Sequence, residues 1–228
     1  EIIAFWRKLP KSYPLFQVAI AAANIQSILN ESSPTGWKFL FSRKSPIFGL
    51  IIILLKPMLI VLLGYMGSGK SAIGKALSEH LNLPFTDLDT RIEIAEGKSI
   101  PEIFKTRGEL FFRRREHELL KELLNAGEDC VLSLGGGTPA YAGNIDLIIE
   151  KTPNTFYLQH SIPSMVSRLE KERGERPIIA HLQDSDLYEF IGKHLFDRIP
   201  FYSLAAHTLP CDGKPLGTVV AEIEKKLV

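Results

Sequence analysis

GYMGSGKS, residues 64–71, follows directly on the apolar run MLIVLL of residues 58–63. The eight residues fit the pattern G-x-x-x-x-G-K-[ST] in full, and they stand between an apolar strand and a segment, Lys70 to His80, that reads as a helix. Gly64, Gly67 and Gly69 let the backbone approach phosphate oxygens and turn N–H groups inward. The N-terminus of the helix that follows favours negative charge at the same place. The stretch is therefore expected to cradle the phosphates of ATP through Gly64, Tyr65, Met66, Gly67, Ser68, Gly69, Lys70, Ser71 and Ala72. Lys70 is expected at the β- and γ-phosphates, and the Ser71 hydroxyl on Mg²⁺.

Outward from this loop, short apolar runs alternate with longer helical ones, the pattern of a parallel sheet covered by helices. Strands are expected at Met58–Leu63, Pro84–Asp87, Cys130–Leu134, Thr155–Gln159 and Thr208–Pro210. Ser99-Ile100-Pro101-Glu102 has the form of a capping box and opens a helix through Phe104. Further helices are expected over Glu109–Asn125, Ile162–Lys171, Asp186–Phe196 and Leu216–Leu227, with an irregular polar stretch at Glu172–Leu182.

The first 57 residues differ in composition from the rest. They carry seven Lys/Arg and two Asp/Glu, a net +5, against +1 for the whole chain. Their apolar run is broken by Lys56 and Pro57, so stable membrane insertion is not expected, since a spanning helix needs about 20 apolar residues. A basic, acid-poor composition also fits a leader for an organelle. Residues 1–57 are taken as an N-terminal extension of unassigned role, a leader or a non-native stretch, and 58–228 as the functional domain. A net charge of +1 gives no basic field for a nucleic-acid partner. The two cysteines, Cys130 and Cys211, have neither metal-ligand nor disulfide-framework spacing, and a cytoplasmic setting is the default.

Five further features define what receives the phosphate. Asp87-Leu88-Asp89 closes the second strand, where open parallel sheets place ligands. Alternation along the strand is expected to aim both carboxylates one way, one at metal-bound water and one at an acceptor hydroxyl. Phe111-Phe112-Arg113-Arg114-Arg115-Glu116 puts an apolar wall at Phe112 beside Arg113, and Glu116 three residues on can orient that guanidinium for a carboxylate. Gly135-Gly136-Gly137 allows close approach and offers backbone N–H groups to a ligand. Arg173-Gly174-Glu175-Arg176-Pro177 reads as a lid that brings Arg176 to the transferring phosphoryl group, with Arg168 of the preceding helix on the adenine. Arg198, in FDRIPFY, supplies a second clamp for an anionic acceptor. These residues alone leave open a kinase for another sugar acid such as gluconate. They also leave open a catalytically silent nucleotide-binding module.

Taken together and in this order, GYMGSGKS, DLD, FFRRRE, GGG, the RP-containing lid and DRIPFY resemble the shikimate kinase family over residues 58–228. The resemblance implies a three-layer α/β/α P-loop kinase with a five-stranded parallel sheet in the order 2-3-1-4-5, usually a monomer. It implies transfer of phosphate from ATP, with Mg²⁺, to the 3-hydroxyl of shikimate on the route to chorismate and the aromatic amino acids. It further implies that Asp89 binds the acceptor hydroxyls and serves as base. Arg113, Gly135, Gly136, Gly137 and Arg198 would hold shikimate, and Phe104 and Phe112 would line its pocket. Asp87 would join Ser71 at the metal, with Ser133 nearby, while Lys70 and Arg176 would stabilise the phosphoryl group. Lys214 and Pro215 would face the adenine.

Overall fold

The computed structural model describes residues 57–228 apart from 173, 175, 176 and 181. The N-terminal extension and the proposed lid residue Arg176 lie outside the described residues. Pro57–Val228 is one compact unit.

In chain order the elements are β1 Leu59–Leu63, α1 Lys70–Leu81, β2 Phe85–Asp87, α2 Leu88–Glu96, α3 Ile100–Ala126 and β3 Cys130–Ser133. A 3₁₀ turn at Thr138–Ala140 leads to α4 Asn144–Lys151, β4 Thr155–Gln159, α5 Ile162–Lys171 and a short α6 Pro177–Ala180. The chain closes with α7 Asp184–Tyr202, β5 His207–Pro210 and α8 Leu216–Glu224. The sheet is parallel throughout, in the expected order β2-β3-β1-β4-β5.

The central strand shows why the pattern works. β1 pairs with β3 on one side and β4 on the other, so all five of its residues are buried and all are aliphatic. Its side chains alternate between two cores. Val61 and Leu63 join Leu120 of α3, Ile148 of α4 and Leu195 of α7, whereas Ile60 and Leu62 join Leu77 of α1 and Ile223 of α8. Helices therefore cover both faces, and the loops that follow the strands meet at one edge. Among the described residues no helix is long and apolar enough to cross a membrane.

Of three local expectations, the first is borne out and the other two are corrected. The capping box at Ser99 and Glu102 forms, and the two helices expected on either side of Gly108 are present within Ile100–Ala126, meeting in a kink at Gly108, where φ is 78° and ψ 170°. A β-carbon at Gly108 would meet nothing within 4 Å, so its positive φ alone accounts for glycine there. Secondly, α7 does not stop at Phe196 but runs through Pro200 to Tyr202. Burial of Leu195 and Tyr202 on one face outweighs the backbone hydrogen bond that proline cannot make. Thirdly, the polar stretch 172–182 is not all irregular, because α6 inserts Ile179 into the core.

Candidate active site

Between β1 and α1 the backbone bends through positive φ at Gly64, Gly67 and Gly69, and Gly69 caps α1 in the left-handed conformation. The first-turn N–H groups of α1 are thereby turned towards the loop. Lys70 is buried, and its Nζ donates to the carbonyls of Gly64 and Tyr65, both at 2.9 Å. The ammonium is thus set by the loop it serves. Arg168 of α5 reaches back over the loop, its Nη1 donating to the Gly67 carbonyl at 3.2 Å. Lys214 is ion-paired to Glu222 at 2.7 Å, and Pro215 caps α8.

The Tyr65 side chain is buried, with Oη 3.3 Å from His194 Nδ1 and its ring 5.5 Å from the Arg198 guanidinium carbon. Burial pushes its phenol up to about 12, against the pull of Arg198, so the hydroxyl keeps its proton. Only the Tyr65 backbone belongs to the phosphate loop.

Asp87 and Asp89 meet the site by a different route from strand alternation. Asp87 ends β2 and caps α2, its Oδ1 accepting from the Asp89 N–H at 3.1 Å, so Asp89 sits in the first helical turn. The other Asp87 oxygen, Oδ2, accepts from the Ser71 hydroxyl at 2.8 Å. Two hard oxygen donors side by side at the phosphate loop suit Mg²⁺, which takes few protein oxygens and completes its shell with phosphates and water. Among the described residues there is no group of three His, Cys, Asp or Glu that could hold a metal ion. Ser133, buried at the end of β3, is in register with Asp87.

The Asp89 carboxyl is pushed up to about 6 by burial and by the charges of Asp87 and Glu116, with Lys70 and Arg113 opposing. A carboxylate poised there titrates close to neutrality, as a proton acceptor needs.

Gly135 and Gly137 are explained by side chains that crowd them. A β-carbon at Gly135 would lie 2.9 Å from Asp89 Oδ1, Glu116 Oε1 and Thr138 Oγ1. At Gly137 it would lie 2.5 Å from Arg113 Nη2. Glu116 is completely buried, accepting from Arg113 Nη1 at 2.8 Å and from Thr138 Oγ1 at 2.5 Å. Arg113 is therefore held as Glu116's spacing suggested, and its guanidinium carbon lies 5.2 Å from the centre of the Phe112 ring. Phe112 in turn packs on the half-exposed Phe104, ring centres 4.8 Å apart. Tyr202 Oη donates to the Gly136 carbonyl at 2.5 Å and fixes the turn from below.

Arg198 completes the enclosure. With Arg113, Gly137, Tyr141 and His194 it lines a cavity of about 270 Å³. Its Nη1 is buried with no hydrogen-bond partner among the described residues, a donor that an anionic ligand would satisfy. Thr138, His194 and Tyr202 were not anticipated from sequence. Extending α7 past Pro200 would have found two of them, because His194, Arg198 and Tyr202 are spaced four apart on one helical face.

A phosphate loop with its lysine, an oxygen pair for a divalent cation, a near-neutral carboxylate and an arginine-lined cavity on a doubly wound sheet define a P-loop kinase acting on a small anionic acceptor. The family model described as shikimate kinase matches residues 66–228. The shikimate kinase of Flavobacterium psychrophilum is 45% identical over 168 residues, covering 74% of this chain and 98% of that protein. That of Flavobacterium johnsoniae is 44% identical, covering 72% and 95%. The crystal structure of shikimate kinase from Bacteroides thetaiotaomicron superposes with a TM-score of 0.69 at 34% identity, covering 74% of this chain and 97% of that one. The Acinetobacter baumannii enzyme, solved in complex with shikimate, gives 0.68 at 28% identity, covering 78% and 99%. This chain belongs to the shikimate kinase family.

Proposed function

We propose that the protein transfers the γ-phosphoryl group of ATP to the 3-hydroxyl of shikimate, releasing ADP and shikimate 3-phosphate for chorismate synthesis. The observation that carries this is the buried Arg198 Nη1, without a partner among the described residues, in a cavity shared with Arg113, which suits one small carboxylate. Arg113 and Arg198 grip that carboxylate, Phe112 and Phe104 wall the ring, and the backbone of Gly135–Gly137 closes the remaining side. Asp89 binds the acceptor hydroxyls and takes the proton as the new P–O bond forms and the bond to ADP breaks. Lys70 and Arg176 meet the charge that builds on the γ-phosphoryl oxygens. Ser71 and, through water, Asp87 would hold Mg²⁺, which would supply positive charge against the phosphate oxygens. Arg168, Lys214 and Pro215 take the adenine.

Residues 58–228 carry all of these groups, and we assign them the whole activity. A chain beginning at Met58 should then turn over like the full one. The two cysteines are unpaired, Cys211 being buried, which accords with a reducing, cytoplasmic setting. A monomer is the state we assign, to be checked by sedimentation.

The acceptor site is tested at Arg113. Arg113→Ala should raise the KM for shikimate about a hundredfold and that for ATP by less than about threefold. It should also destabilise the fold, because Glu116 stays buried without its cation. Arg113→Lys keeps the charge but loses the two-pronged grip, so it should fold well and still bind shikimate poorly. Equal losses for both substrates in the lysine variant would show Arg113 to be structural only.

A further inference from the structure

Arg115 belongs to the basic run that supplies Arg113, yet the proposed reaction gives it nothing to do. Its Nε donates to Glu96 Oε1 at 2.7 Å, and Arg107 Nη1 donates to the other oxygen, Oε2, at 3.4 Å. Glu96 is the last residue of α2, where the helix dipole disfavours a carboxylate and two guanidinium partners offset that cost. Its side chain is 13% exposed, against 27% for Arg115 and 49% for Arg107. The pair with Arg115 is thus the shorter and the more sheltered of the two.

Arg107 and Arg115 stand on opposite sides of the kink at Gly108, and so do Phe104 and Phe112. The two phenyl rings lie 4.8 Å apart, centre to centre. Between positions so spaced an unbroken helix advances about 12 Å, which would keep such rings apart, so they meet because the chain turns at Gly108. Glycine does not hold that angle by itself. Its backbone is permissive, and nothing stands within 4 Å of where its β-carbon would be. Contacts across the kink must fix it: the ring pair on one side, Glu96 with its arginines on the other, and the Arg107 guanidinium carbon 4.6 Å from the centre of the Phe111 ring.

We infer that Glu96 and Arg115 are positioning residues of the acceptor site: their ion pair clips the end of α2 to the second half of α3, and so keeps Phe104 on Phe112 as the wall against the acceptor ring. This deepens the acceptor reading above and rests on it. Phe112 directly precedes Arg113, so the segment that the clip fastens also carries the guanidinium for the acceptor carboxylate. The phosphate loop after β1 shares no element with the clip. Loss of the pair therefore weakens the hold on the acceptor and spares ATP.

The test follows two readouts on the full chain and its variants, the NOEs between the Phe104 and Phe112 ring protons and the KM of each substrate. The unaltered chain should show the ring NOEs. Glu96→Gln should lose most of them and raise the KM for shikimate about tenfold, with that for ATP changed by less than about twofold and kcat by less than about threefold. Arg115→Gln should give the same shifts, and the double variant no more than either single one, because the pair is already broken. Arg114→Gln, at an exposed neighbour, should change neither readout. Ring NOEs that survive in Glu96→Gln, equal rises in the two KM values, or a double variant showing the product of the single effects overturns the proposal. Should one single variant fail to fold, the other decides by the same readouts. Failure of the unaltered chain to phosphorylate shikimate would instead strike the proposed function, and the ring NOEs, which need no substrate, would still decide on the clip.

Discussion

Asp89→Asn is expected to lower kcat by at least about a hundredfold while making the folded protein more stable. The rate falls because the amide cannot take the hydroxyl proton, a contribution of about 10²–10⁴ for a placed base. The gain in stability follows from the sign of the carboxyl's shift. Asp89 rises from an ordinary 3.8 to about 6 in the folded chain, pushed first by burial and then by Asp87 and Glu116. Between those values the folded state holds more proton than the unfolded one, so stability drops as pH rises through the window. Above about 6 the full penalty is present, up to about 3 kcal/mol, and below 3.8 it is absent. Thermal unfolding of the asparagine variant should therefore show a higher Tm at neutral pH and a flatter response to acid. In the unaltered chain the acid limb of kcat/KM for the acceptor should fall near pH 6. Undiminished turnover by the variant would mean that another group removes the proton.

Lys70→Ala should cost about a thousandfold in kcat with the fold intact. The ammonium is held by the Gly64 and Tyr65 carbonyls at the phosphate loop, so its charge is prepared for the γ-phosphoryl group rather than recruited from solvent. Removing it leaves two loop carbonyls short of a donor, a loss of about 1–3 kcal/mol that the sheet core should withstand. Circular dichroism should thus report a native spectrum and ADP assays almost no turnover. Near-normal turnover would remove the phosphate loop from the reaction.

Much of this arrangement was legible before any coordinates. β1 was plain because five consecutive aliphatic residues suit a strand paired on both sides, and the phosphate loop because its glycines and lysine occupy fixed offsets. Arg113 and Glu116 were paired correctly because helical spacing makes i and i+3 neighbours whatever the tertiary setting. Asp89 reaches the site for a reason other than the one its sequence pattern suggests. The chain turns into α2 immediately after Asp87, and a cap made by the first carboxylate, not strand alternation, delivers the second. Pro200 misled because its local preference ends helices, whereas burial of Tyr202 carries this one on. Thr138 gave no signal at all, since its partner Glu116 comes beside it only when distant segments align.

The central claim is best tested by ADP release from the purified chain supplied with MgATP and either shikimate or gluconate. The site described here predicts rapid release with shikimate, formation of shikimate 3-phosphate, and only background release with gluconate. Release with gluconate alone, or with neither acceptor despite measurable ATP binding, would contradict it.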